Sequence, residues 1–165
     1  MVELLAAYLK QLEALHADMN QAIEDLPVEA LNWSPGAELN SVAVLAAHTA
    51  GSERYWIGDV VARDDSHRDR AAEFRTQAVG PAELIARLEA ALAHSRQVLG
   101  QLTLANLDEK RSAPSDQREV TVAWALIHAL EHVATHLGHL QMMHDVWHMQ
   151  FSFPTTRFPD ERMVA

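Results

Sequence analysis

Histidine is the residue type with the most unusual distribution in this sequence. Ten histidines occur among 165 residues, and six of them lie between residues 128 and 148. His128, His132 and His136 are spaced by four residues, and His139 follows three residues later. On a helix this spacing places all four side chains on one stripe. Two imidazoles one turn apart can direct their nitrogens at one ion about 2.0–2.1 Å from each, so the segment predicts part of a metal site.

A further ligand must come from another element, and His48 is the best candidate. It follows an apolar run over residues 42–47. A lone imidazole in such a helix should face inward, where it needs a polar partner. We therefore predict that His48, His132 and His136 hold one divalent metal ion. Because burying several unpaired imidazoles would cost on the order of a few kcal/mol each, one shared ion would offset the cost for all of them.

The other histidines receive different interpretations. We expect His128 to pack or to form a hydrogen bond near the site, and His139 either to support a ligand or to serve as an alternate one. His144 and His148 are four residues apart but lie more than two turns beyond His136, so we expect them at a surface or an interface. A histidine-rich bundle without metal, satisfied by water and side chains, stays open as an alternative.

The metalloprotease motif H-E-x-x-H is not present at these histidines. Val133 follows His132, whereas the motif requires a glutamate there to act as the base. Glu131 comes before the histidine and points about 100° away around the helix axis. This pattern excludes that class of protease.

Four segments carry the apolar spacing of amphipathic helices. They are residues 2–25, 41–62, 81–102 and 119–147. No segment alternates apolar and polar residues as a strand would. The sequence thus predicts an all-α protein, a four-helix bundle over residues 1–150, followed by a non-helical tail over residues 151–165.

The connections between these helices differ in character. We expect Trp33, in the loop over residues 28–39, to dock on the bundle and fix the loop. The charged stretch 63–80 is predicted to be a solvated connection with Phe74 turned inward, and the polar stretch 103–118 to be irregular.

Composition excludes several classes of function. The net charge of −10 disfavours binding to nucleic acid or to anionic lipid. The absence of cysteine removes thiolate ligands, disulfides and a protein thiol nucleophile. An acidic residue stands near the N-terminus, where a signal peptide would be basic, and the longest apolar run is too short to span a bilayer. We expect a cytoplasmic protein that has a small-molecule substrate and neither nucleic acid nor membrane as a partner.

Two stretches of the chain resemble the DinB/YfiT-like metalloenzymes, which include bacillithiol- and mycothiol-dependent transferases. The first stretch runs from Leu31-Asn32-Trp33-Ser34-Pro35 to the helix that ends at His48, and is similar to the family's Trp-x-Pro turn and histidine-bearing helix. The second stretch, from Thr121 through His128, His132, His136, Gly138 and Gln141, is similar to its H-x-x-x-H-x-x-x-H-x-G segment. His139 departs from the pattern, since many relatives carry glutamine there.

The resemblance implies a four-helix bundle, often a homodimer, with nickel or zinc held by His48, His132 and His136. It further implies a metal-dependent transferase that adds a low-molecular-weight thiol to an electrophilic substrate. A metal-dependent hydrolase and a non-catalytic, stress-linked metal-binding bundle remain alternatives. All-nitrogen ligation also suits copper or iron, so the residues alone do not select the metal.

Overall fold

Four long helical segments dominate the computed structural model, which describes residues 2–152. They are α1 (Glu3–Glu24), α3 (Val42–Glu53) with its continuation Arg54–Ala62, α5 (Pro81–Gln101) and α6 (Val122–Ser152). Ser41 caps α3, because its hydroxyl accepts a hydrogen bond from the backbone N–H of Val44. Pro81 begins α5, where its missing N–H has no intrahelical partner to lose. The predicted four-helix bundle is confirmed.

The apolar stripes of these helices meet in one core. Helix α1 packs against α5 and α6, and α3 packs against the same two helices, so α1 and α3 occupy opposite corners of the bundle. The largest apolar side chains that are almost fully buried come from all of these helices and from the short helix α2 (Val28–Asn32): Leu5, Leu12, Met19, Ile23, Leu31, Ile57, Leu84, Leu88, Leu99 and Leu140. This arrangement brings α3 and α6, the two helices that carry the candidate ligands, into direct contact.

The continuation of α3 is a nine-residue π-helix, Arg54–Ala62. Wider π turns are uncommon and are frequently found at functional sites. Here the π-helix contacts both α5 and α6 and buries Tyr55 and Trp56. Arg111, which is also buried, donates a hydrogen bond from Nε to the carbonyl oxygen of Val61 and so fixes the end of the π-helix.

Several connections are more ordered than the sequence predicts. Short helices α2 (Val28–Asn32) and α4 (Arg70–Glu73) form within the two predicted loops. An antiparallel hairpin pairs β1 (Lys110–Ser112), in the stretch predicted to be irregular, with β2 (Glu119–Thr121), at the predicted start of the last helix, and Arg111 lies opposite Val120. Three-residue strands are too short to produce a recognisable alternation in the sequence.

The ends of the last helix also differ from the prediction. Helix α6 begins at Val122 rather than at residue 119, because β2 occupies residues 119–121, and it continues to Ser152. The predicted non-helical tail is therefore helical at residues 151 and 152, and its residues 153–165 lie outside the described part of the chain. Within residues 2–152, no helix combines the length and the apolar character needed to cross a membrane.

The prediction for Trp33 is confirmed. Its ring contacts that of Trp147 on α6 edge to face, with 5.9 Å between the ring centroids. An edge-to-face aromatic pair of this kind contributes packing beyond its buried area. The loop before α3 is therefore held against the bundle, close to the N-terminal end of the helix that bears His48.

Candidate metal centre

His48, His132 and His136 converge where α3 crosses α6. The ring centroid of His48 lies 5.0 Å from that of His132 and 5.3 Å from that of His136, and the two α6 rings are 4.4 Å apart. Each ring offers one nitrogen such that all three nitrogens lie within 4.8 Å of one another. The helical spacing of four brings the two α6 rings together, and the packing of α3 on α6 adds the third.

The donor set fits a divalent transition metal. Nε2 of His132 and Nε2 of His136 are 3.2 Å apart, close to the roughly 3.3 Å expected between two ligands of a tetrahedral ion at 2.0–2.1 Å. Nδ1 of His132 is buried and has no hydrogen-bond partner among the described residues, so this ring makes its polar contact through Nε2. Three imidazoles suit zinc, nickel, copper and iron better than magnesium or calcium, which prefer oxygen.

A buried glutamate orients the ring of His48. The carboxylate oxygen Oε2 of Glu73 lies 2.9 Å from Nδ1 of His48. Arg68 donates two hydrogen bonds to the same carboxylate, from Nε to Oε1 at 2.6 Å and from Nη2 to Oε2 at 2.8 Å. An ionised Glu73 requires the proton of His48 to sit on Nδ1, which leaves the Nε2 lone pair free for a metal.

The pKa of Glu73 supports this arrangement. Burial by itself would raise it, but hydrogen bonds and charges from Arg68 and His48 outweigh burial and hold the pKa below its usual value. The carboxylate is therefore ionised at neutral pH. It remains a permanent acceptor for the imidazole N–H, as carboxylates beside metal-bound histidines commonly are.

Gly51, one turn after His48 on α3, makes room for this carboxylate. A Cβ atom at that position would collide with Oε1 and Cδ of Glu73. The glycine is therefore needed for close approach rather than for backbone conformation. It lets a short helix from a distant loop deliver its acidic side chain to the ligand.

We expect Glu73→Gln to weaken metal binding by about 10–100-fold, since partners of metal ligands typically contribute that much. The amide keeps the size of the side chain but loses the charge that fixes the His48 tautomer. Gly51→Ala should act in the same direction, because its methyl group displaces the carboxylate. Competition with a chelator of known affinity measures the effect. Glu83→Gln, at an exposed pair with Arg87, is the matched control; equal affinities in all four proteins would contradict the role of Glu73.

The two α6 ligands are held in the neutral form that binds metal. Burial, reinforced by the neighbouring imidazoles, lowers the pKa of His132 to about 3 and that of His136 to about 4. Partial removal from water disfavours the imidazolium ion, and His48 close by adds like-charge repulsion. Protons therefore compete weakly with a metal for these nitrogens at neutral pH.

The metal-free protein should lose stability as the pH falls from about 6.5 towards 4. In this range the unfolded chain binds protons at residues 132 and 136, whereas the folded chain does not, so acid favours unfolding. We expect the imidazole NMR signals of both residues to show no titration near pH 6.5 in the folded protein. A double variant, His132→Ala with His136→Ala, should show a shallower loss of stability on acidification. Titration of either ring near pH 6.5 would contradict the assignment.

His128 and His139 flank the three histidines without joining them. His128 stacks on Trp124 with 4.9 Å between the centroids and meets the edge of Trp56 at 4.7 Å, which agrees with the expectation that it packs near the site. Nδ1 of His139 lies 3.3 Å from Nδ1 of His136. His139 can thus support that ring as Glu73 supports His48.

A cavity of about 550 Å³ opens beside the histidines. His48 and His132 form part of its wall, and the π-helix contributes Tyr55 and Trp56. The loop of the hairpin closes another side, since the Tyr55 hydroxyl lies 2.8 Å from Oγ of Ser115 and accepts a hydrogen bond from the Ser115 backbone N–H. A volume of this size lies within the range of small-molecule sites.

The sequence interpretation missed Glu73, Arg68 and Gly51. It assigned residues 63–80 to a solvated connection with Phe74 turned inward, whereas Glu73 is the buried side chain and Phe74 is 38% exposed. The Phe74 ring still contacts His48, with 4.8 Å between the centroids. One signal was available: a glycine inside an apolar helix, one turn from a candidate ligand, indicates that another group approaches closely.

Comparison with known proteins is consistent with this architecture. A conserved protein from Enterococcus faecalis has a structure that matches with a TM-score of 0.74 at 17% identity, covering 88% of this chain and 98% of its own. YfiT from Bacillus subtilis matches with a TM-score of 0.71 at 16% identity, covering 93% of this chain and 91% of its own. YfiT is described as a probable metal-dependent hydrolase with an unusual four-helix bundle topology. No curated protein matches the sequence.

The sequence also matches a family model. Residues 11–140 fit the model described as the DinB superfamily. The matched region contains α3, which bears His48, and the part of α6 that bears His132 and His136. Because this match spans most of the chain, the protein belongs to the DinB superfamily.

Proposed function

We propose that this protein is a metal-dependent enzyme that transfers a low-molecular-weight thiol to an electrophilic small molecule, with nickel or zinc held by His48, His132 and His136. The observation that carries the proposal is the position of His48 and His132, two of the three converging histidines, in the wall of the 550 Å³ cavity. A purely structural metal site is usually closed by protein ligands. Three protein ligands beside a cavity instead leave room for a reactant.

The protein's own side chains would hold the metal and position the reactants. A divalent ion on three neutral imidazoles keeps its full charge and would lower the pKa of a thiol or water that binds beside it. Glu73 and Arg68 hold the His48 ring in place. Tyr55 and Trp56 offer an aromatic wall against which an apolar part of a substrate could pack.

One feature favours a thiol over water as the nucleophile, namely how the carboxylates beside the cavity are engaged. The chain has no cysteine, so the thiol would come from a small molecule. Among the described residues that line the cavity, Asp59 and Asp65 carry carboxylates, and both already accept hydrogen bonds from the loop after the π-helix. Asp59 accepts hydrogen bonds from the backbone N–H and the hydroxyl of Ser66, and Asp65 accepts one from the backbone N–H of His67. Deprotonation of a thiol by a metal needs less help from such a base, because a coordinated thiol loses its proton outright. Overall, the thiol sulfur bonds to the electrophilic carbon, and the thiol proton leaves with the displaced group.

Hydrolysis is the second candidate. The observation in its favour is the likeness to YfiT, which is described as a probable metal-dependent hydrolase. The metal held by the same histidines would then lower the pKa of a bound water and so make it a nucleophile. The two functions differ in whether turnover requires an added thiol.

One assay separates these candidates. Untagged protein loaded with nickel or zinc is mixed with a chlorodinitrobenzene or bimane electrophile and a panel of low-molecular-weight thiols, and in parallel with activated esters without thiol. We expect thiol-dependent turnover that His132→Ala abolishes and that His94→Ala, on α5, retains. Ester hydrolysis without thiol would instead establish the second candidate. Metal-loaded protein inactive in both arms would contradict an enzymatic role with these substrate classes.

A further inference from the structure

A second cluster of metal-ligand residues lies near the far end of α6, away from the triad formed by His48, His132 and His136. It consists of Asp25, at the C-terminal end of α1, together with His144 and His148 on α6. Each residue offers one ligand atom, and these three atoms lie within 4.8 Å of one another. The two imidazoles are one turn apart, with 4.4 Å between their centroids. The sequence alone suggested a surface or an interface for the two histidines, because they lie more than two turns beyond His136; it did not reveal their carboxylate partner, which lies more than a hundred residues earlier.

The distances between the two imidazoles and the carboxylate fit ligands of a shared ion better than direct hydrogen bonds. Nε2 of His144 lies 3.4 Å from Oδ1 of Asp25, and Nε2 of His148 lies 3.8 Å from Oδ2. Charge-assisted hydrogen bonds are about 2.7–2.9 Å long, whereas two ligands of a tetrahedral ion are about 3.3 Å apart. Nε2 of His148 is also buried without a hydrogen-bond partner among the described residues. A cation between the three groups would satisfy them together.

The surroundings favour a cation over an anion. Asp25 and His144 lie in a surface depression that is also lined by Asp18, Glu24 and Asp145, and among the described residues lining it none is a lysine or an arginine. Asp25 also caps the C-terminal end of α1, where the helix dipole is negative. The negative potential therefore adds to the ligand chemistry, and the cluster does not depend on acidity alone.

A neighbouring carboxylate, that of Asp145, also orients the ring of His144. Oδ1 of Asp145 lies 3.2 Å from Nδ1 of His144. A carboxylate there keeps the proton of His144 on Nδ1 and leaves Nε2 free towards Asp25. This is the relation that Glu73 has to His48 at the first site.

From this geometry we infer that Asp25, His144 and His148 form a second binding site for a zinc-like divalent ion, which ties the end of α6 to the end of α1. Two imidazoles and one carboxylate suit zinc, nickel or copper and disfavour magnesium, which prefers oxygen ligands. The site shares no residue with the triad. It therefore stands independently of the proposed enzymatic function.

The test uses untagged protein that carries His48→Ala and His132→Ala, so that only the second site can bind. After dialysis against micromolar zinc, we expect one equivalent per chain by elemental mass spectrometry, and a higher Tm than in the metal-free protein. Magnesium should produce neither effect. Adding Asp25→Asn, His144→Ala or His148→Ala should remove both the zinc and the rise in Tm.

Asp18→Asn is the matched control, because it removes the same charge from the same depression without touching the three ligands. It should keep the bound zinc. The inference is overturned if the background protein binds no zinc, if any of the three ligand variants keeps it, or if Asp18→Asn loses it as Asp25→Asn does. Failure at the triad would appear separately, as loss of the first equivalent from otherwise wild-type protein.

Discussion

Replacing His132 with alanine should lower the metal content of the protein by one equivalent per chain and remove its activity. Nε2 of His132 lies 3.2 Å from Nε2 of His136, a separation that suits two ligands of one ion. Two remaining imidazoles hold an ion far more weakly than three, because the third ligand adds a coordination bond and fixes the geometry. His48→Ala and His136→Ala should act in the same way. Elemental mass spectrometry of protein purified without added metal measures the loss.

His128→Ala is the control for this experiment. It removes an imidazole from the same stripe of α6, one turn before His132, but this ring packs between Trp124 and Trp56 and is not one of the three that converge. We expect it to keep the metal. If His128→Ala lost the ion, or if His132→Ala kept it, the assignment of the three ligands would be wrong.

The second large effect is expected at a buried pair that has no part in metal binding. Oε2 of Glu53 lies 2.5 Å from Nε2 of His16, and Oε1 accepts a hydrogen bond from the Ser95 hydroxyl at 2.6 Å. The first two residues are each about 1% exposed, and Ser95 is fully buried. Replacing His16 leaves the buried carboxylate of Glu53 with the Ser95 hydroxyl as its one remaining partner among the described residues. We therefore expect His16→Ala to lower the free energy of unfolding by about 3–5 kcal/mol.

Denaturant unfolding of the metal-free protein measures this loss. The matched control is Glu13→Ala on the same helix, because Glu13 pairs with Arg96 of α5 at the surface, where the side chains are 39% and 51% exposed. An exposed pair of this kind contributes about 1 kcal/mol or less. Similar losses in both variants would show that burial of the His16–Glu53 pair has no special importance.

These two predictions concern groups that the sequence reveals to different degrees. The ladder of His128, His132 and His136 follows from the period of the α-helix alone, since residues four apart must lie on one face. His48 could be selected because an imidazole in an apolar run needs a polar partner. The pairing of His16 with Glu53 had no such local signal, because the two residues are far apart in the chain and neither position is unusual in its own helix.

The sequence by itself determined the class of fold and the residues that could act as ligands. Apolar spacing defines the four helices, and the resemblance in the loop around Trp33 and in the first half of α6 indicates the family. These features are local: they depend on the geometry of one helix or one turn, which neighbouring residues specify directly.

Only the tertiary structure decided what supports those ligands. Glu73 reaches His48 because a short helix in a charged connection packs over Gly51, and Asp25 reaches His144 because α1 ends beside the last turns of α6. Such contacts join residues that are distant in the chain, and they arise from how apolar faces pack together rather than from any spacing within one element. The hairpin that closes the cavity is likewise too short to have a pattern of its own. The sequence therefore indicates which residues can bind a metal, and the packing of the helices decides which of them meet.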